Sequence, residues 1–125
     1  MPNKKILVID DQPSQLRIIK KILDKYGWQA VTADSAEEAE LVLDWGYKFS
    51  AILTDLKMPW YNGVEFCKSA KSKYPEIKVF ALSGNLALFD DEELIKAGFD
   101  GVYSKPITLE IVENVLFSIT GQERL

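Results

Sequence analysis

The chain has 125 residues, 47% hydrophobic and 27% charged, which is enough for one well-buried core and too few for two ordinary domains. Its net charge of -4 and sequence pI near 4.9 give no general attraction for nucleic acid or an anionic membrane, and direct binding to either is not expected. A single cysteine, Cys67, excludes an intramolecular disulfide and fits a cytoplasmic location, while the absence of histidine excludes histidine triads, histidine metal sites and a phosphohistidine carrier.

In chain order, the apolar run 5–9 reads as a strand and ends in Asp10-Asp11. Pro13 and Ser14 then open a helix in which Leu16, Ile19, Ile22, Leu23 and Tyr26 recur at helical spacing, stopped near Gly27. A short strand over 29–33 follows, and Asp34 or Ser35 caps a helix with Glu37 and Glu38 in its first turn, where they suit the helix dipole. The run 49–54 is nearly all apolar, as a strand buried on both faces should be, and leads to Asp55. A helix is expected over 63–74, broken by Pro75. A fourth strand over 78–82 ends at Ser83-Gly84, and a shorter helix spans about 90–97. The last strand, 101–104, runs through Lys105-Pro106 into a helix with the stripe Val112, Val115, Leu116 and Ile119, ended by Gly121. No apolar run approaches the roughly 20 residues of a membrane span, and the first strand begins too early for a leader, so neither is expected.

Five alternating strand–helix repeats imply an α/β fold: a five-stranded parallel sheet with right-handed crossovers and helices on both faces. The doubly wound, flavodoxin-like order 2-1-3-4-5 is the usual solution, as one domain over 1–125 with its core at about 4–120. Ligands in such folds bind at the carboxyl edge of the sheet, so Asp10, Asp11, Asp55, Ser83 and Lys105 are expected to converge there. Each pair of carboxylates about 4 Å apart costs on the order of 4 kcal/mol at an effective dielectric near 20. A divalent cation relieves this best, and oxygen donors without histidine or thiolate suit Mg2+, or Mn2+, rather than zinc. Lys105 offers a fixed positive charge to a phosphoryl oxygen, Ser83 a hydroxyl, and Asp55 a carboxylate able to form an acyl phosphate.

Asp10-Asp11, Asp55 followed by Leu56-Lys57-Met58-Pro59 and Gly63, Ser83-Gly84 and Lys105-Pro106 together make the chain resemble the bacterial response-regulator receiver domain over essentially its whole length. The resemblance implies that Asp55 is the phosphoacceptor, and that Asp11, Asp55 and the backbone carbonyl of Lys57 bind magnesium, with Asp10 acting mainly through a bound water. It implies that Ser83 is the switch hydroxyl, that Lys105 holds the phosphoryl group, and that the chain catalyses nothing beyond its own phosphorylation and dephosphorylation. The donor would be a phosphohistidine on a sensor histidine kinase or histidine phosphotransfer protein. The output would pass through the face of the fourth helix, fifth strand and fifth helix to an effector, with a phosphorylation-dependent homodimer as one form.

Lys57 and Asn85, two residues after Asp55 and Ser83, stand where side chains tune hydrolysis. The chain departs from the family pattern three positions before Lys105. That place is Val102, and the aromatic residue is Tyr103, which puts the familiar aromatic switch in question. Trp60 and Tyr61 read either as a loop packed on its own side chains or as a surface that helps recognise the kinase partner. Two other classes fit less well. A phosphate-ester hydrolase with an aspartate nucleophile needs an acid where Lys57 stands and an insertion for a cap. A flavin-binding protein needs a Ser/Thr/Gly-rich phosphate loop after the first strand, where Asp10-Asp11 would repel phosphate.

Overall fold

A computed structural model describes residues 4–46, 48–84 and 86–121. The strands of the main sheet are β1 (Lys5–Ile9), β2 (Gln29–Ala33), β3 (Ala51–Thr54), β4 (Lys78–Ser83) and β5 (Gly101–Ser104), alternating with helices α1 (Pro13–Lys25), α2 (Ala36–Asp44), α3 (Gly63–Lys73), α4 (Asp91–Ala97) and α5 (Leu109–Thr120). All pairings in this sheet are parallel, in the order β2-β1-β3-β4-β5. The doubly wound topology read from the sequence is therefore the observed one.

Strand alternation divides the core in two. Leu7, Ile9, Ile52, Val79 and Ala81 pack beneath α2, α3 and α4 through Ala39, Leu43, Cys67 and Leu94. Their neighbours Ile6, Val8, Leu53, Phe80 and Leu82 pack beneath α1 and α5 through Ile19, Leu23, Val112 and Val115. A residue-by-residue switch of face is the period-two signature of strands covered on both sides. Each fully buried Leu, Ile or Phe contributes roughly 1.5–3 kcal/mol, so the sheet edge is held on a stiff base.

Local signals account for the helix ends. Ser35 accepts the Glu38 N–H at 3.1 Å while Glu38 accepts the Asp34 N–H at 3.0 Å, which resolves the choice of cap before α2. Asn62, Asp90 and Thr108 cap α3, α4 and α5 through their side-chain oxygens. Two features were not expected. Lys57–Met58 and Tyr61–Asn62 pair antiparallel as a small ribbon after Asp55, and Leu86–Leu88 form a turn of 3-10 helix before α4. Cys67 is buried, and its thiol is pushed up to about 12 by that burial, partly offset by Lys71, with Asp100 adding to the rise. It is an inert core residue. Among the described residues, no helix is long and apolar enough to cross a membrane.

Candidate functional site

Three residues just beyond strand ends remain tied into the sheet. The Asp10 N–H donates to Ala33 O at 3.1 Å, the Asp55 N–H to Ile9 O at 3.0 Å, and the Lys105 N–H to Ser83 O at 3.0 Å. The ladder thus continues one residue past each strand, and the backbone positions of the three side chains are set by the sheet rather than by loops.

Their side chains meet. Lys105 Nζ lies 2.8 Å from Asp10 Oδ2 and 3.1 Å from Asp55 Oδ2, with side-chain exposures of 15%, 3% and 8% for Lys105, Asp10 and Asp55. Each aspartate is also held from its other oxygen. Asp10 Oδ1 accepts the Gln12 N–H at 2.9 Å, and Asp55 Oδ1 accepts the Leu56 N–H at 2.7 Å and the Lys57 N–H at 3.4 Å. Burial by itself would lower the Lys105 pKa, but the hydrogen bonds and charges of Asp10 and Asp55 outweigh it, and the net displacement is upward.

Asp11 completes the acidic group. One carboxylate oxygen from each of Asp10, Asp11 and Asp55 can be chosen so that all lie within 4.8 Å of one another, with Asp11 exposed and the other two buried. At that spacing and an effective dielectric near 20, each pair repels by on the order of 3–4 kcal/mol. One ammonium cannot balance three carboxylates. A cluster of hard oxygen donors open to solvent on one side fits Mg2+ or Mn2+ and lacks the nitrogen or sulfur donors that favour zinc.

Gly63 supports this loop in a way its place at a helix start did not reveal. A Cβ there would come 2.7 Å from Asp55 O and 2.8 Å from Leu56 Cα, both backbone atoms. Only a residue without a side chain lets α3 begin this close to the loop carrying Asp55, and the Gly63 N–H donates to Leu56 O at 2.8 Å. The hydroxyl of buried Thr54 donates to Asp55 O at 2.8 Å, a further brace. Sequence reading missed Gln12, Thr54 and Leu56, because two of them act through backbone N–H groups that carry no residue-type signal.

Ser83 ends β4 fully buried, opposite Ser104 of β5. Lys57 is exposed at the start of the ribbon. Val102 faces the α2–α4 side of the sheet and Tyr103 the α1–α5 side. A Cβ on Gly101 would fall 3.2 Å from Cε2 and Oη of Tyr103, so that ring lies back over the start of β5, away from Lys105. Asn85 lies outside the described residues, as does the side chain of Tyr61. Trp60 does not pack on its loop: it is wholly exposed. Beside the acidic group, Leu56, Lys57, Asn62, Leu88 and Phe89 line a groove of about 300 Å³.

Comparison with known proteins gives the family and the fold. The family model described as "Response regulator receiver domain" matches residues 6–116. The sensor histidine kinase RcsC of Escherichia coli is 27% identical over 111 residues, covering 89% of this chain and 12% of that protein, so the chain spans about an eighth of its length. The chemotaxis protein CheY1 of Helicobacter pylori is 29% identical over 120 residues, covering 94% of this chain and 97% of that one. Among solved structures, a response regulator protein from Burkholderia pseudomallei with a phosphorylated aspartic acid, calcium ion and citrate superposes with a TM-score of 0.79 at 25% identity, covering 94% of this chain and 67% of that one.

Proposed function

Because the chain belongs to the response regulator receiver domain family, we propose that it takes a phosphoryl group from a partner's phosphohistidine onto Asp55, within a single domain over 1–125. The observation that carries this reading is the Lys105 ammonium bridging Asp10 and Asp55 at 2.8 and 3.1 Å beside exposed Asp11. A carboxylate oxygen of Asp55 bonds to phosphorus as the donor's N–P bond breaks, and the electron pair stays on the imidazole nitrogen. The Leu56 and Lys57 N–H groups hold the Asp55 carboxylate in one orientation for this attack. Lys105 then exchanges a carboxylate for a phosphoryl oxygen, placing fixed positive charge where negative charge accumulates. Mg2+ or Mn2+, held by Asp10, Asp11, Asp55 and the Lys57 carbonyl, supplies the remaining neutralisation of carboxylates and phosphoryl oxygens when bound. The Lys57 side chain, exposed next to the site, shields the phosphoaspartate from water.

The donor in this reading is a sensor histidine kinase or a phosphotransfer protein, consistent with relatives that include a sensor histidine kinase. The readout follows from Ser83. A charge-assisted hydrogen bond from its hydroxyl to the phosphoryl group draws it toward Asp55 and loosens packing beneath α4. Val102 fills that space only in part, so the change passes mainly through α4, near Leu88, Phe89 and Leu94, to the α4–β5–α5 face and its effector or a second phosphorylated copy.

Incubation with acetyl phosphate and magnesium, followed by intact mass, tests the assignment. Wild type is expected to gain one phosphoryl group, Asp55→Asn none, and chelation of the metal to stop incorporation. Equal incorporation in wild type and Asp55→Asn would overturn it. Followed over time after donor removal, Lys57→Ala is expected to lose the phosphoryl group faster, and an unchanged lifetime removes the shielding role.

A further inference from the structure

Trp60 occupies the turn of the ribbon with φ 58 and an exposure of 103%. The left-handed region costs a residue with a Cβ roughly 1–2 kcal/mol, and glycine or asparagine ordinarily fills such turns. Tryptophan here adds strain and leaves its indole without intramolecular burial, so fold stability does not account for it. Trp60 lines a groove of about 220 Å³ between α2 and α3 together with Glu40, Glu65 and Phe66. Beyond Glu40, α2 exposes Leu41 at 58% and, at its C-cap, Trp45 at 70%. Within its span α2 carries Glu37, Glu38, Glu40 and Asp44 and no basic residue. Lys68 Nζ is 3.6 Å from Glu65 Oε1 in a largely exposed pair, worth about 0–1 kcal/mol and readily displaced.

We propose that this groove docks an arginine presented by a partner protein, its guanidinium stacked on Trp60 and its N–H groups donating to Glu40 and Glu65. Charge complementarity selects the occupant. An acidic rim repels nucleic acid and anionic lipid, whereas a planar guanidinium satisfies an indole face and carboxylates together, which a lysine ammonium does less well. Tryptophan and arginine are also among the residues most enriched in binding hot spots. The surface is separate from the phosphoacceptor reading, and neither depends on the other.

The test uses the unphosphorylated full chain labelled with 15N and a blocked, alanine-rich helical peptide bearing arginines along one face. Control peptides carry citrulline, lysine or glutamate instead. The arginine peptide is expected to give saturable shifts of the Trp60 indole N–H and of the Glu40, Glu65 and Ser69 amides. Lysine should bind about three- to tenfold more weakly, a step of the size that separates stacked from point-charge cations, and citrulline and glutamate should give no saturable shift. Trp60→Gly, which suits the left-handed backbone, should keep or raise its thermal midpoint and lose the response, and Glu40→Gln with Glu65→Gln should lose it too. Citrulline binding as well as arginine, or an unchanged response in Trp60→Gly, overturns the proposal. So does concentration-dependent self-association that Glu40→Gln abolishes, which would assign the groove to an arginine of a second copy.

Discussion

Replacing Lys105 by methionine isolates what the ammonium does for Asp10 and Asp55. The side chain keeps its length and apolar stem, but two contacts of 2.8 and 3.1 Å disappear. At an effective dielectric near 20, each contact represents on the order of 5–6 kcal/mol of gross attraction, most of it cancelled by the desolvation of the three groups. Removing one partner of a buried ion pair typically costs about 3–5 kcal/mol, because the other charge is left uncompensated. The partial exposure of Lys105 and the open side of the acidic group admit water, which brings the expected loss to about 2–3 kcal/mol. For a chain of this size, that lowers the thermal midpoint by roughly 6–12 °C.

The assay is urea unfolding of wild type, Lys105→Met, Asp10→Asn and the double variant, without divalent cations at neutral pH. The slope with urea is expected to stay constant, so that midpoint shifts report stability alone. In the double variant one carboxylate is gone, so the Lys105→Met penalty should fall by at least half, a coupling expected of groups in one network. A Lys105→Met protein within about 0.5 kcal/mol of wild type, the scatter of ordinary surface substitutions, would refute the idea that the lysine holds the acidic edge together. An undiminished penalty in the double variant would refute its electrostatic origin.

Gly63→Ala forces a methyl group to within 2.7 Å of Asp55 O. It is expected to cost about 1–3 kcal/mol by urea unfolding and to slow acetyl phosphate incorporation, and a variant with wild-type stability and rate would show that the loop yields without consequence. Lys105 and Tyr103 both have folded-state pKa values raised above their ordinary values of 10.5 and 10.0, so the stability they add is complete below those values and is lost as pH rises through the folded ones. Stability should therefore fall in strong alkali with a steeper slope for wild type than for Lys105→Met, and equal slopes would deny the lysine contribution. On activation by beryllofluoride, Ser83→Ala should lose the change in dimerisation or partner affinity and Tyr103→Ala should keep it. Equal loss in both would restore an aromatic switch.

Periodicity and end signals alone carried the architecture: apolar runs of four to six residues, helical stripes and the stops at Gly27 and Gly121 read correctly as five alternating repeats. Strict alternation leaves few ways to bury both faces of a sheet, so the strand order also followed from the sequence. The acidic edge was legible for the same reason, since a residue one place past a strand inherits the strand's position. What lay outside the sequence depends on distance between segments far apart in the chain. Nothing local to Lys105 says that its ammonium bridges Asp10 and Asp55, because that contact exists only once β4 has been inserted between β3 and β5. The need for glycine at position 63 arises from backbone eight residues earlier folding against it. The backing of Tyr103 over Gly101 and the full exposure of Trp60 were likewise decided by packing. A side chain's rotamer is chosen by the neighbours available to it, and those neighbours come together only when the sheet has formed.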